Sequence, residues 1–238
     1  MGVRIRHTKL GKVRFTSHRD TARHWERALR KAGLPVATSG GFTPRPKMSF
    51  GLALPTGAES FAEYLDVEFA TEFDCASAET LSRMSAALPM GYEVTAAGPH
   101  RGSEPSLQED VVACTWYLRL ADAAGPQVHT AVERTLQASS LPLERERKGQ
   151  RRTDDVRPAI ESMSAAEDPV SGHLGLTVTL LTAHRGLRPT ELVEAMFPAT
   201  DPLDVVSGVV RTHQWIERDG ARREPLPVGA AAAREAVA

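Results

Sequence analysis

The order of periodic segments predicts an α+β fold made of two βαββαβ halves in tandem. Three observations predict it. Between residues 12 and 97, stretches that alternate every second residue and stretches with apolar residues every three or four positions follow in the order strand, helix, strand, strand, helix, strand. Residues 98–110, with Gly98, Pro99, Gly102 and Pro105, then read as a linker. After it the same order restarts and runs to about residue 217.

The elements are justified one by one. Residues 12–17 alternate, with Val13 and Phe15 on one side and Arg14 and Thr16 on the other, and read as a half-buried strand. Ser17 is placed as an N-cap, with Asp20 three residues on in the capping-box position. The helix that follows carries Ala22, Trp25, Leu29 and Ala32 on its apolar side and stops at Gly33. Leu34–Ser39 reads as a second strand, and 52–57 as a short apolar piece ended by a turn. Residues 63–69 alternate cleanly: Leu65, Val67 and Phe69 face one way, Tyr64, Asp66 and Glu68 the other. A helix at 77–88 bears Leu81, Met84 and Leu88 and ends before Pro89, and Tyr92–Ala97 is the last strand of the first half. This is the split βαβ order of a ferredoxin-like domain.

In the second half, 112–120 alternates through Val112, Cys114, Trp116, Leu118 and Leu120. A helix follows at 126–138, strand-like pieces at 141–147 and 155–160, a strong strand at 174–180, a short helix at 190–197 and a strand at 205–217. The expected domains are therefore 1–98 and 111–220, with an Ala-rich tail at 221–238 that has nothing to pack against. The duplication rests on element order alone, since no residue-level repeat accompanies it.

Composition narrows the class. The chain has 238 residues, 41% hydrophobic and 25% charged, with net charge -1, which is ordinary globular composition. No apolar run nears the roughly 18 residues of a membrane span. The basic start has no apolar segment after it, so neither a secretory signal nor a membrane partner is expected, and the expected location is cytoplasmic. Cys75 and Cys114 sit among small or apolar residues and read as buried thiols. The near-zero net charge hides an asymmetry: residues 1–51 hold 12 Lys or Arg against 2 acids, and residues 52–110 hold 2 against 11. One strongly positive face is therefore available to an anionic partner.

Two places carry that charge. Arg19, Arg23, Arg27 and Arg30 run along one side of the first helix. Gly40-Gly41-Phe42-Thr43-Pro44-Arg45-Pro46-Lys47 is a stiff loop whose prolines bracket Arg45. Each reads either as a solvated surface or as a site for phosphate or carboxylate. A further cluster, Arg145, Arg147, Lys148, Arg151 and Arg152, lies at a hairpin tip beside Asp155-Val156-Arg157-Pro158, with Glu and Asp residues interleaved. Catalytic signals are thin. His18, Asp20 and Asp66 are the acid–base groups that can be nominated, and the cap role already explains Asp20. There is no Walker loop, no GxSxG, no GxGxxG and no His/Cys cluster at ligand spacing, so no metal or cofactor is expected.

Phe15-Thr16-Ser17-His18-Arg19-Asp20, Gly41-Phe42-Thr43-Pro44-Arg45-Pro46-Lys47-Met48-Ser49-Phe50, Leu54-Pro55-Thr56-Gly57, Glu63-Tyr64-Leu65-Asp66, Asp155-Val156-Arg157-Pro158 and Arg188-Pro189 together resemble the radical-SAM-linked domain family. The resemblance covers most of residues 3–217. It implies a bacterial domain fused to, or encoded beside, a radical SAM protein and often near ribonuclease and ribosomal-protein genes. It names no reaction. A radical SAM enzyme holds its iron–sulfur cluster with three cysteines, and two distant cysteines cannot supply that. The expectation is a companion to such an enzyme: a non-catalytic RNA-binding or accessory module, with DNA not expected. An enzyme acting on RNA or a small anionic substrate, and a protein-interaction scaffold, remain as alternatives.

Overall fold

The computed structural model describes residues 1–226 apart from 41, 43, 101–103, 122–124, 148, 168–173 and 184–185. It is a mixed α/β protein whose paired strands run mostly antiparallel. The chain divides into two compact units: Met1–Val111 with Trp215–Ala238, and Val112–Gln214.

The first unit opens on β1 (Gly2–Lys9), followed by a 3-10 turn over Gly11–Phe15. This replaces the strand expected at 12–17. Gly11 turns the chain with φ +65, and only Val13 of the turn is buried. Phe15 stays 62% exposed under the Arg14 guanidinium. Helix α1 (His18–Lys31) starts at the Ser17 cap, buries Thr21, Trp25, Ala28 and Leu29, and ends at Gly33, φ +62. The strand expected at 34–39 reduces to two isolated bridges, Val36 to Phe69 and Thr38 to Pro46. The short strand β2 (Met48–Phe50) comes instead, followed by β3 (Glu59–Glu68), α2 (Ala78–Ala87) and β4 (Val94–His100).

The strand order in this unit is β4-β1-β3-β2, every neighbouring pair antiparallel. Val3 and Ile5 of β1 and Leu65 and Val67 of β3 pack with Trp25, Leu29 and Met84 of the helices in one core. The opposite face is covered too. The stretch expected as a free linker contains the end of β4 and a short helix, α3 (Leu107–Asp110), and Leu107 packs with Ala62, Tyr64 and Leu226. Residues 222–226, expected to fray, are held: β11 (Ala221–Arg223) pairs within this unit, and Glu224 accepts hydrogen bonds from Arg6 and Tyr64, each at 3.1 Å. The rest of the tail lies outside the described residues. Both faces of β1 and β3 are therefore buried, which is why Tyr64 is as deep as Leu65.

The second unit comprises β5 (Val111–Leu120), α4 (Gly125–Gln137), β6 (Pro142–Arg147), β7 (Gln150–Asp155), β8 (Ile160–Glu167), β9 (Leu174–Leu181), α5 (Pro189–Met196), α6 (Pro202–Val205) and β10 (Val206–Arg218), whose last residues return to the first unit. Its strands lie in the order β8-β9-β5-β10, and β6 pairs with β7 in a separate hairpin. The strand expected at 155–160 is broken because the Asp155 carboxylate accepts from the Leu141 and Arg157 amides. That turns the chain through a 3-10 turn before β8 begins.

Candidate functional site

Arg19, Arg23, Arg27 and Arg30 all lie on the exposed side of α1, opposite Trp25, Ala28 and Leu29. Arg23 meets Asp20 at 3.1 Å with both side chains about half exposed, a pair worth little to stability. The Arg30 Nε donates to the Glu26 carbonyl. Ser17 accepts from the Asp20 amide and donates its hydroxyl to the Asp20 carboxylate at 2.7 Å. That hydroxyl first, and then Arg23, holds Asp20 below the usual carboxylate range. Asp20 thus works as the reciprocal partner of a helix cap.

The Gly/Pro loop is a narrow hairpin. Lys47 N donates to the Ala37 carbonyl and Ser39 N to the Arg45 carbonyl, each at 2.9 Å. Arg45 N donates back to the Ser39 hydroxyl. The tip therefore projects, and Phe42 stands 110% exposed on it. Arg45 is exposed at its base, and among the described residues its side chain has no partner. Lys47 meets Glu68 at 2.8 Å on the open surface.

Four of the six segments quoted for the resemblance, those within residues 15–66, each contribute to a pocket under the first turn of α1. It is lined by His18 and Thr21 of α1, Phe50, Gly51, Leu52 and Leu54 after the loop, Glu63 and Tyr64 of β3, and His7 and Lys9 of β1. The His18 ring meets Phe50 edge-on at 5.3 Å. Lys9 is 3% exposed and its Nζ donates to the Thr16 carbonyl at 2.9 Å. His7 is 1% exposed, with Trp25 4.9 Å away. Beside the pocket, Thr16 and Thr21 each place a hydroxyl 3.1 Å from the Tyr92 hydroxyl. Of this group the sequence pointed only to His18. His7, Lys9 and Glu63 were missed, although the alternation Val3-Ile5-His7 against Arg4-Arg6-Thr8 was there to mark β1 as a strand.

Asp66 lies elsewhere, on the other face of the sheet. The Arg4 guanidinium, 4% exposed, grips it through Nε at 2.8 Å and Nη2 at 2.9 Å. The His100 Nε2 stands 3.5 Å from the same carboxylate and its Nδ1 3.3 Å from Glu104. A groove of about 580 Å3 runs over this cluster, bordered by Lys47, Ser49, Glu68, His100 and Glu104. The structure therefore separates the three nominated acid–base groups: Asp66 is tied in an ion pair under the groove, Asp20 in a cap, and His18 borders the pocket beneath α1.

In the second unit, Arg151 is exposed on β7. Arg145 pairs with Glu191 at 2.8 Å and Asp154 at 3.3 Å. Arg157 spends its terminal nitrogens on the Ile160 and Leu136 carbonyls, each at 3.0 Å, and so braces α4 against the chain after Asp155. The Arg147 side chain and Lys148 lie outside the described residues.

Cys75 and Cys114 are both free and buried, and burial pushes the Cys75 thiol up. Among the described residues no three His, Cys, Asp or Glu side chains are grouped to hold a metal ion, and no helix is long and apolar enough to cross a membrane.

The fold and this site define a mixed α/β protein with a projecting basic loop and a polar pocket beneath the first helix. The chain belongs to a bacterial family described as "Uncharacterized protein conserved in bacteria (DUF2344)", whose model matches residues 3–189. No curated protein matches it.

Proposed function

We propose that this protein is a non-catalytic RNA-binding or accessory module of the bacterial cytoplasm, working beside a radical SAM enzyme. The observation that carries the reading is Phe42. A fully exposed aromatic ring at the tip of a hairpin, with an exposed Arg45 at its base that has no partner among the described residues, is a stacking platform next to a phosphate ligand. The arginine side of α1 and Lys47 supply further backbone contacts, and Lys47 gives up little when it leaves a surface partner such as Glu68. Stacking on an exposed ring needs an unpaired base, which favours single-stranded RNA over duplex DNA. We read each unit as a ferredoxin-like half. The order β4-β1-β3-β2 in the first and β8-β9-β5-β10 in the second support that reading.

The test is fluorescence anisotropy with a labelled single-stranded RNA at two salt concentrations. If three phosphates are held, raising salt fourfold weakens binding by about tenfold to twentyfold. The variant Phe42→Ala loses about 1–3 kcal/mol of binding, and Phe42→Ala/Arg45→Ala loses it further. Salt-insensitive binding, or unchanged affinity in the double variant, overturns the reading.

A second reading is favoured by the pocket bordered by His7, Lys9, His18 and Glu63: an enzyme acting on RNA or a small anionic substrate. In that case His18→Gln abolishes turnover and leaves RNA binding by the loop intact.

A further inference from the structure

We infer that Phe15 is a second stacking platform for single-stranded RNA, from which the arginine side of α1 carries the strand toward the Gly/Pro hairpin. The inference rests on the RNA-binding reading and adds a separate contact to it. Phe15 is 62% exposed, although its segment alternates as a half-buried strand would. The backbone on both sides of it is pinned. Gly57 N donates to the Arg14 carbonyl at 2.8 Å, and Thr16 N to the Val13 carbonyl at 3.0 Å. The Thr16 hydroxyl donates to the same Val13 carbonyl at 2.7 Å, and the Lys9 Nζ to the Thr16 carbonyl at 2.9 Å. Gly11 N, at the start of the turn, donates to the Glu59 carboxylate at 2.7 Å. The turn thus holds the ring out in one position, and a base that stacks on it orders little else in the protein.

Charge names the partner. The Arg14 guanidinium lies 4.5 Å from the ring centroid, its side chain 37% exposed and 3.8 Å from Glu59. It covers one face of the ring and puts a phosphate ligand beside it. A Cβ at Gly57 would come within 4.0 Å of the ring, so the bare glycine keeps that approach clear. α1 begins three residues on. At about 100° and 1.5 Å per residue, its four arginines fall within about 80° of one another, and Arg19, Arg23 and Arg27 rise about 6 Å apart. Asp20 and Glu26, both half-buried, border this row and leave it net positive. Past the end of α1, Ala37 N donates to the Glu68 carbonyl where the hairpin stem begins. The row therefore has Phe15 before its first arginine and the hairpin after its last. A protein partner would need acidic side chains matched to the row, whereas a nucleic-acid backbone brings a negative charge at every step. Stacking on Phe15 needs an unpaired base, which selects a single strand. Reaching along α1 takes about 21 Å, which excludes a mononucleotide.

The full-length protein is titrated by fluorescence anisotropy with labelled single-stranded RNAs about 4 and about 16 nucleotides long, the two ends of the usual range of such sites. The parent binds the long strand more tightly than the short one, and that gain disappears in Phe15→Ala. Phe15→Ala and Phe15→Leu bind the long strand about fivefold or more weakly, while Phe15→Tyr, which keeps a ring, stays within about twofold of the parent. Removing the ring leaves the salt slope unchanged, because it touches no phosphate, whereas Arg19→Ala/Arg23→Ala lowers the slope by about two. If Phe15→Ala does not fold, Phe15→Leu against Phe15→Tyr decides. Parent-like binding of the long strand by Phe15→Ala overturns the inference, and so does parent-like binding by Phe15→Leu, which would mark an apolar contact with no stacking. Phe42→Ala/Arg45→Ala is measured alongside. Loss in that variant with parent-like Phe15→Ala strikes down the second platform and leaves the hairpin reading standing. Loss in Phe15→Ala with a parent-like hairpin variant does the reverse, and no saturable binding of either strand overturns both.

Discussion

Strand β1 and helix α1 carry the same kind of side chain to opposite ends. On α1, Arg19, Arg23, Arg27 and Arg30 are exposed, and among the described residues they make one surface ion pair, Arg23 with Asp20. On β1, Arg4, Arg6 and Lys9 are 4%, 7% and 3% exposed. Arg4 is locked to Asp66, and Arg6 reaches Tyr64, Thr95 and Glu224. The difference teaches that a cation is a structural or a recognition residue according to what covers it. Here the cover is α3 and the returning C-terminal segment. The helix cations stay in solvent, and the strand cations are consumed by the fold.

Substitutions can break that comparison, and the largest effect is expected in β1. Asp66→Ala leaves the Arg4 guanidinium buried without its carboxylate and costs about 3 kcal/mol in urea unfolding. A cost below that of a surface substitution would show that the pair is solvated after all. Arg157→Ala removes the brace on the Leu136 and Ile160 carbonyls and costs about 2 kcal/mol. Ser17→Ala removes the cap of α1 and costs about 1 kcal/mol. Arg19→Ala and Arg27→Ala stay within about 0.5 kcal/mol of the parent while weakening RNA binding at low salt.

The smallest effect is a pH dependence at the back of α1. Burial, then Arg27, holds His24 below the ordinary histidine value. The unfolded chain therefore takes up the proton first, and the stability His24 contributes is present above the unfolded value and fades as pH falls below about 6.5. His24→Gln should flatten the stability curve between about pH 5 and 7. An unchanged slope would assign it to other groups.

How far the sequence could be read follows from the same contrast. Helix α1 was legible from Ser17 to Gly33 because cap, period and breaker are local signals. The same holds for α2, β5, β9 and α5. β1 was passed over although Val3, Ile5 and His7 alternate with Arg4, Arg6 and Thr8, because nothing local shows what buries its cations. Their partners lie far along the chain: Asp66 is 62 residues from Arg4, and Glu224 is 218 from Arg6. The strand placed at 12–17 failed because six alternating residues are too few to outweigh Gly11. The loop could be read in part: its prolines and glycines marked a stiff turn, but the exposure of Phe42 depends on the Ser39–Arg45 closure. The pocket was hidden because His7, Lys9, His18 and Glu63 become neighbours only when β1 pairs with β3 beneath α1.

The measurement that tests the RNA reading most directly is photo-crosslinking of the protein to a single-stranded RNA carrying a photoreactive base, followed by mass spectrometry of the peptides. The account predicts that the crosslink falls on the hairpin tip at Phe42 and disappears in Phe42→Ala/Arg45→Ala. Crosslinks confined to the β6–β7 hairpin, or none above those formed with a duplex control, would contradict it.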